Sequence, residues 1–333
     1  MSSETSVLVT GGAGYIGSHV VRGLRDRGHR VTVVDNLYSG HRWAVSDAEL
    51  IVAELGDRRQ MEAVFEARNF DAVMHFAAHI WVGESVTNPA KYYFNNVSNA
   101  ARLFDLAAQY NVPNVVFSST AAVYGEPEVQ PIPEHAALAP INPYGASKMM
   151  AERILHDIAA ATGLRYVALR YFNVAGAHAS GEIGEATPNN SHLVKIACET
   201  AFGLRPKLAI HGTDYPTEDG TCVRDYVHID DLASAHIDAL GYLLAGNPSD
   251  VFNCGYGHGY SVREVLATAR RVTGVDFTIE EGPKRPGDPP VLVADSKKIQ
   301  RILGWQPSCD DLELILSSAW AWEKKLQSMN KAA

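Results

Sequence analysis

Val9-Thr10-Gly11-Gly12-Ala13-Gly14-Tyr15-Ile16-Gly17 reads VTGGAGYIG, and three glycines spaced three apart behind an apolar run decide how the chain is read. The run SVLVTG predicts a strand and IGSHVVRGLRDRG a helix, so the glycines fall at a strand-to-helix turn. There the backbone must turn tightly and let a phosphate approach the helix N-terminus, whose free N–H groups and dipole favour an anion. The spacing is GxxGxxG, a variant of the GxGxxG dinucleotide pattern. Glycines at such a junction also serve close packing alone, so a second feature is needed. Asp35 supplies it. It ends the next strand, HRVTVVDN, 18 residues after Gly17. An acid at that place accepts hydrogen bonds from adenosine ribose hydroxyls and repels a 2′-phosphate, although it can also cap a turn at the surface. Strand, glycines, helix, strand and acid together predict a dinucleotide site suited to NAD rather than NADP.

Outward from this loop the same rhythm continues. AELIVAELGD, DAVMHFAA, NVVFSST and LRYVALRYFN read as strands; MEAVFEA, PAKYYFNNVSNAARLFDLAAQY and SKMMAERILHDIAAATG read as helices. Val-rich runs without alternation are strands covered on both faces, and helical crossovers between them make a parallel sheet. The expected fold class is α/β, with a doubly wound parallel, Rossmann-type sheet. Met149, Ile154, Leu155 and Ile158 place an apolar stripe on the last of these helices, either core or interface. Beyond about Gly176 the alternation fades into loops rich in Gly, Pro, His and Asn. Residues 1–176 are therefore expected to form the NAD-binding domain and 177–333 a smaller α/β substrate-binding domain, with segments free to interleave.

Composition sets limits on partners. Of 333 residues, 46% are hydrophobic and 20% charged, enough apolar material for a large core. A net charge of -9, with no block of like charges, argues against a nucleic-acid or acidic-membrane surface. An anionic substrate would need local arginines. Cys198, Cys222, Cys254 and Cys309 lack metal-ligand spacing, which suits reduced thiols in a cytosol. The first apolar run, Val7 to Val9, is too short for a signal peptide, and no later run approaches the about 18 residues of a span, so a soluble cytoplasmic protein is expected. His75 and His79, four apart at a strand end without accompanying carboxylates, do not suggest a metal.

Tyr144-Gly145-Ala146-Ser147-Lys148 puts a phenol and an ammonium four apart at the start of a helix, hence on one face. The pair alone proves little, but it lies one loop beyond Ser118-Ser119-Thr120, at the carboxyl edge where doubly wound sheets bind ligands. A tyrosine acting as base near neutral pH must titrate about 3 pH units below its usual 10, which requires about 4 kcal/mol. A cation about 5 Å away at an effective dielectric of about 20 contributes about 3 kcal/mol. Lys148 is expected to supply that share, and an oxidised nicotinamide ring the remainder.

On these residues the chain resembles the extended short-chain dehydrogenase/reductases and, within them, the UDP-galactose (UDP-glucose) 4-epimerases. TGGAGYIGS, HFAA, VGES, SSTAAVYG, YGASK and RYFNVAGAH stand in that family's order, as do LAIHGTDYPTEDGTCVRDYVH and RPGDPP. The resemblance implies NAD held at its pyrophosphate by Gly11, Gly14, Tyr15, Ile16 and Gly17, at its adenosine ribose by Asp35 and Asn36, and at its adenine by Asp57. Phe76, Ala77 and Ala78 would border the dinucleotide bridge, with Asn95 beneath the cofactor and Ser118 and Tyr171 beside it. Tyr144 would be the catalytic base, Lys148 would bind the nicotinamide ribose and tune Tyr144, and Thr120 would contact the reacting hydroxyl. A UDP-hexose would be held by Asn173, by Arg224 and Arg285 at its pyrophosphate, and by Asp288 at the uridine ribose. A guanidinium fork suits phosphate oxygens better than an ammonium does. The resemblance further implies a homodimer formed through the helix holding Tyr144 and the one spanning residues 92–109.

Three positions depart from the family pattern. Ile80 stands where many members have Lys. PNNSHL replaces PNNL, so His192 and Leu193 take the expected uridine-facing places. Leu292 occupies the site where a bulky Tyr excludes N-acetylated sugars and a smaller residue admits them, leaving that specificity open. The leading expectation is reversible C4 epimerisation of UDP-galactose and UDP-glucose through a 4-keto sugar. The rivals are a sugar-nucleotide 4,6-dehydratase, which would carry Asp-Glu where this chain has Ala121-Ala122, and a non-catalytic NAD sensor, which would need no Tyr144–Lys148 pair.

Overall fold

The computed structural model describes residues 4–45, 48–188, 190–285 and 288–332. Its strands are β1 (Ser6–Thr10), β2 (Arg30–Asp35), β3 (Glu49–Val52), β4 (Ala72–His75), β5 (Asn114–Ser118), β6 (Arg165–Tyr171), β7 (Asn173–Ala175), β8 (Leu208–His211), β9 (Val223–Arg224), β10 (Tyr226–His228), β11 (Asp250–Cys254), β12 (Tyr260–Ser261), β13 (Ile279–Gly282) and β14 (Val291–Leu292). The helices are α1 (Tyr15–Asp26), α2 (Arg58–Ala67), α3 (Val82–Thr87), α4 (Pro89–Tyr92), α5 (Asn99–Gln109), α6 (Pro143–Thr162), α7 (Leu193–Phe202), α8 (Ile229–Leu244), α9 (Val262–Thr273), α10 (Lys297–Leu303) and α11 (Leu312–Ala332).

Seven parallel strands form the central sheet in the order β11-β6-β5-β4-β1-β2-β3. The chain winds from β1 outward to β3, then returns to β4 and winds the other way, so strand order reverses between β1 and β4. A crevice opens at the carboxyl end of such a reversal point. Successive residues of β1 explain why its apolar run does not alternate. Val7 and Val9 join a core with Val20 and Leu24 of α1 and Leu232 and Leu240 of α8, whereas Leu8 joins a core with Leu103 and Phe104 of α5 and Leu155 of α6. Both faces of the sheet are covered, so both must be apolar.

The structure departs from the sequence reading in one helix. The helix expected over 89–110 is interrupted by a π-helical turn at Tyr93–Ser98. Asn96 there turns inward, donating to the His79 carbonyl at 2.9 Å and the Ser147 hydroxyl at 3.0 Å while accepting from His79 N–H at 2.8 Å. A single widened turn is a common way to re-aim side chains at a site. The chain after Gly176 returns to the central sheet: β11 pairs along β6, from Asp250 opposite Val167 to Cys254 opposite Tyr171, and α8 covers the same sheet. Without β11, β6 would leave a buried edge with unpaired backbone groups. The remaining C-terminal elements gather about a separate core of Val194, Leu208, Val265, Leu266 and Ile315. There Lys195 of α7 meets Glu323 of α11 at 2.5 Å, both buried.

Candidate active site

At the reversal point β1 ends in the glycine loop. Gly11 sits at φ +74°, and a Cβ on it would lie 2.4 Å from the Ala77 nitrogen, so only glycine lets the loop pass the end of β4. A Cβ on Gly17 would stand 2.3 Å from the Gly11 carbonyl oxygen, because α1 crosses the loop in contact. Gly14 precedes α1 in ordinary extended conformation, its virtual Cβ meeting only the Gly11 carbonyl oxygen at 3.3 Å. Asp35 accepts N–H bonds from Ala13 at 3.0 Å and Leu37 at 2.8 Å, tying β2 to the loop. Burial holds its carboxyl above the usual range, against the pull of those two donors. Two bonds leave lone pairs on the carboxylate for ribose hydroxyls.

These residues line a cleft of about 1050 Å³, its open mouth included. Along its walls lie Gly11, Gly14, Tyr15, Ile16, Gly17, Asp35 and Asn36, then Phe76, Ala77, Ala78 and Asn95, and at the far end Ser118, Lys148 and Tyr171. A backbone cradle that a Cβ would fill, a buried acid with free lone pairs and a lysine at the opposite end fit a dinucleotide. Some walls had no sequence signal. Tyr38, Glu54 and Leu55 enter from the loops after β2 and β3, and Glu185 and Thr187 from the segment before α7.

The Asp57 carboxylate caps α2, accepting from Arg59 N–H at 3.0 Å and Gln60 N–H at 3.2 Å, with the Gln60 amide at 2.9 Å. His192, expected to face uridine, stands on the wall of this cleft, its Nδ1 2.6 Å from Glu185. Burial alone would lower that imidazole, and the carboxylate more than reverses this, leaving it above its ordinary value. Leu193 packs against the C-terminal core.

At the far end, β5 and α6 converge. Lys148 Nζ donates to the Ser118 carbonyl at 2.8 Å and lies 5.0 Å from the Phe117 ring centre. The Ser118 hydroxyl donates to Tyr171 Oη at 3.1 Å. Asn142 caps α6 through Gly145 N–H at 2.9 Å, so Tyr144 falls in the first turn, buried, with the Thr120 side chain near its phenol. Burial drives the Tyr144 phenol well above its usual value, Tyr171 and Tyr92 adding to this and Thr120 opposing it. Lys148 is itself brought down to about 7 by burial, with Glu152 opposing. The expected lowering of Tyr144 by Lys148 is thus absent from the chain by itself: the ammonium is turned to the Ser118 carbonyl, and desolvation of the phenolate dominates.

The arginine group stands beyond this end. In a three-stranded sheet ordered β12-β9-β14, Arg224 lies in register opposite Leu292. Arg224 is buried, paired with Asp288 and bonded to the Val223 carbonyl at 2.8 Å. Leu292 packs on a cluster of Ala121, Val123, Tyr124, Ile132, Phe172 and Ala294, which begins one residue after Thr120. That cluster is the contact between the arginine sheet and the Tyr144 helix, whose Met149 also touches it. Arg285 is exposed beside His211, whose imidazole is lowered by burial and then by that charge. Asn173, exposed at the start of β7, donates its N–H to the Asp225 carbonyl at 2.9 Å. Asn189 of PNNSHL and Pro286 and Gly287 of RPGDPP lie outside the described residues. Among the described residues no group of three or more His, Cys, Asp or Glu stands close enough to hold a metal ion; His75 Nδ1 is 2.8 Å from the Thr10 hydroxyl.

A doubly wound sheet with a glycine cradle at its reversal point and a Thr–Tyr–Lys group at its carboxyl edge defines a nicotinamide-dinucleotide enzyme of the short-chain type. Residues 7–255 match the NAD dependent epimerase/dehydratase family, and the chain belongs to that family. It is 51% identical to a UDP-glucose 4-epimerase of Azospirillum brasilense, over 99% of this chain and 96% of the relative. A Brucella ovis UDP-glucose 4-epimerase solved in complex with NAD is 43% identical, covering 95% of this chain and 97% of its own, with a TM-score of 0.92. The UDP-Glc/GlcNAc 4-epimerase of Campylobacter jejuni is 48% identical, over 96% and 99%, with a TM-score of 0.85.

Proposed function

We propose that this chain interconverts UDP-galactose and UDP-glucose at C4 with a tightly held NAD. The observation that carries the reading is Lys148 on the wall of the glycine cleft, one helical turn beyond Tyr144, with the sheet of the buried Arg224 packed against the same helix. Hydride acceptance from C4, and its return to the opposite face of a 4-keto sugar, is the chemistry NAD supplies when bound. Tyr144 takes the C4 hydroxyl proton and later gives it back. Thr120 holds the reacting hydroxyl and the phenol in line. Lys148 is a donor at the end of the cleft, where it fixes the cofactor ribose and adds positive charge as the phenol ionises. Arg224 and Arg285 anchor the substrate through its pyrophosphate, which leaves the hexose free to present each face in turn. Bonding the hexose itself firmly would defeat that turn.

Ala121 and Ala122, following Thr120, place no acid where a dehydratase needs one. Asp57 is kept for the adenine, and His192 with Leu193 for the uridine. Leu292 sets the size limit at the hexose, and a homodimer through α5 and α6 is supported by exposed Phe94 and Met150 on that side. A cytosolic location suits four free cysteines, and no helix among the described residues is long and apolar enough to cross a membrane.

Purified protein incubated with UDP-galactose and no added cofactor should yield UDP-glucose. A 4-keto-6-deoxy product would assign dehydration, and unchanged substrate with bound NAD a sensor. Tyr144→Phe should abolish turnover while NAD remains bound; full activity in that variant would remove Tyr144 as the base. UDP-N-acetylgalactosamine in the same assay reads the Leu292 limit, and a monomer in sedimentation would exclude the dimer.

A further inference from the structure

Beneath the reactive tyrosine lies a buried polar network that the chemistry above does not use. Glu152, one helical turn beyond Lys148 on α6, and Arg170, in β6, are 7% and 5% exposed. Arg170 grips the carboxylate in a fork, Nε at 3.1 and 3.2 Å from its two oxygens and Nη2 at 2.6 Å. The same carboxylate accepts the Ser119 hydroxyl. Arg170 Nη1 donates to the Tyr124 hydroxyl at 2.9 Å, and Tyr124 in turn donates to Asn253 Oδ1 at 2.7 Å. One carboxylate therefore joins α6, which carries Tyr144 and Lys148, to the residue immediately before Thr120 and to the strand behind both.

A buried ion pair is a poor stabilising device, because desolvating two charges offsets most of their attraction. Its value here lies in what it holds. Tyr144 and Glu152 lie one turn either side of Lys148 on α6, Tyr171 lines the same cleft, and His75 of β4 and His236 of α8 stand close enough to feel its charge. Burial keeps His75 and His236 neutral, lowering them to about 3 and about 4, and Lys148 pushes both further the same way. The tyrosines are phenols. Glu152 is the charge that opposes the desolvation of Lys148.

We propose that Glu152 and Arg170 are a positioning pair for the reaction: the carboxylate seats Ser119 and Thr120 against the Tyr144 helix and, one helical turn from Lys148, favours the charged form of that side chain. Arg170 orients that carboxylate and supplies the bonds that fix Tyr124 at the end of the turn following Thr120. The kinetic part of this inference rests on the epimerase reading.

Two variants test it, Glu152→Gln and the double variant Glu152→Gln/Arg170→Met. The second removes both charges, so it keeps its fold even if the first, with Arg170 left unpaired in the interior, does not. In each, kcat for UDP-galactose should fall roughly ten- to hundredfold, as displaced reacting groups do, while KM and bound NAD are kept. In Glu152→Gln the alkaline limb of the kcat profile should move down by roughly one pH unit, since Lys148 loses its proton sooner without an anion beside it, and by less in the double variant, which also removes the Arg170 cation. An independent readout is the 13Cε resonance of Lys148 in lysine-labelled protein, assigned by Lys148→Arg, whose titration midpoint should fall with the limb. A uniform loss of kcat with limb and midpoint unmoved would make the pair mere scaffold and overturn the proposal, as would unchanged kinetics. If the wild-type protein shows no epimerase activity, the functional reading fails, and the Lys148 midpoint alone still decides whether Glu152 favours the charged side chain.

Discussion

Tyr144 carries the chemistry, and its surroundings run against it. A buried phenol with two other tyrosines nearby resists ionisation, and the Thr120 side chain offsets this only in part. The driving charge must therefore arrive with the oxidised cofactor, at a point where water has been excluded and a positive ring acts through a low dielectric. The expected outcome is a phenolate step at lower pH in the NAD complex than in the NADH complex, followed by pH-difference absorbance with Tyr144→Phe as the blank; equal midpoints would remove the ring from the activation. Tyr144 and Lys148 were legible in sequence because helical spacing puts residues four apart on one face. Asp57 carried a second signal as well: Asp57 and Gln60 stand three apart ahead of Met61, Val64 and Phe65, the pattern of a helix cap, and the cap forms. His192 carried no such signal. Its role follows from Glu185, seven residues earlier, folding back onto it.

Among the elements, the glycine loop separates two meanings of glycine that a spacing pattern merges. Gly17 lies where α1 touches the loop backbone, and Gly14 lies at the helix N-terminus with only ordinary crowding. Gly17→Ala should therefore destabilise the fold, by about 1–3 kcal/mol for an overpacked backbone contact, read as a drop in the urea midpoint. Gly14→Ala should fold normally and lose affinity for NAD, because its methyl group enters the cleft. Equal effects of the two on stability would contradict this division of labour. The π-helical turn at Tyr93–Ser98 had no legible cause in its own residues, which read as continuous helix. It is stabilised by bonds from Asn96 to the loop after β4 and to α6, both distant in sequence.

For the whole molecule, acid sensitivity follows from its buried histidines. His19 and His75 are lowered to about 3 and His236 to about 4, all by burial. Unfolded, each titrates near 6.5, so between these values the unfolded chain binds more protons, and stability present above about pH 6.5 is lost as pH falls. Asp225, raised to about 6 by burial, works oppositely, since the folded state holds its proton until pH rises through that value. The net expectation is an uptake of about 1–2 protons on unfolding near pH 5, or about 1.5–3 kcal/mol lost per pH unit. Urea midpoints from pH 7 to 4.5 measure it, and a flat series would show that these imidazoles are not held neutral.

The parallel sheet, the cofactor loop, the acid at the end of β2 and the Tyr144–Lys148 pair were all determined by the amino-acid sequence alone. Each depends on neighbours within a few residues or on a repeating apolar pattern, and short-range geometry is carried by the order of residues. Only the tertiary structure decided that β11 completes the sheet, that Leu292 and Arg224 reach the Thr120 cluster, that His192 joins the cofactor cleft, and that Glu152 and Arg170 meet beneath the reacting groups. Those contacts join segments from 18 to more than 150 residues apart. Their partners are chosen by which surfaces remain to be buried and which charges remain to be paired once the local elements have formed.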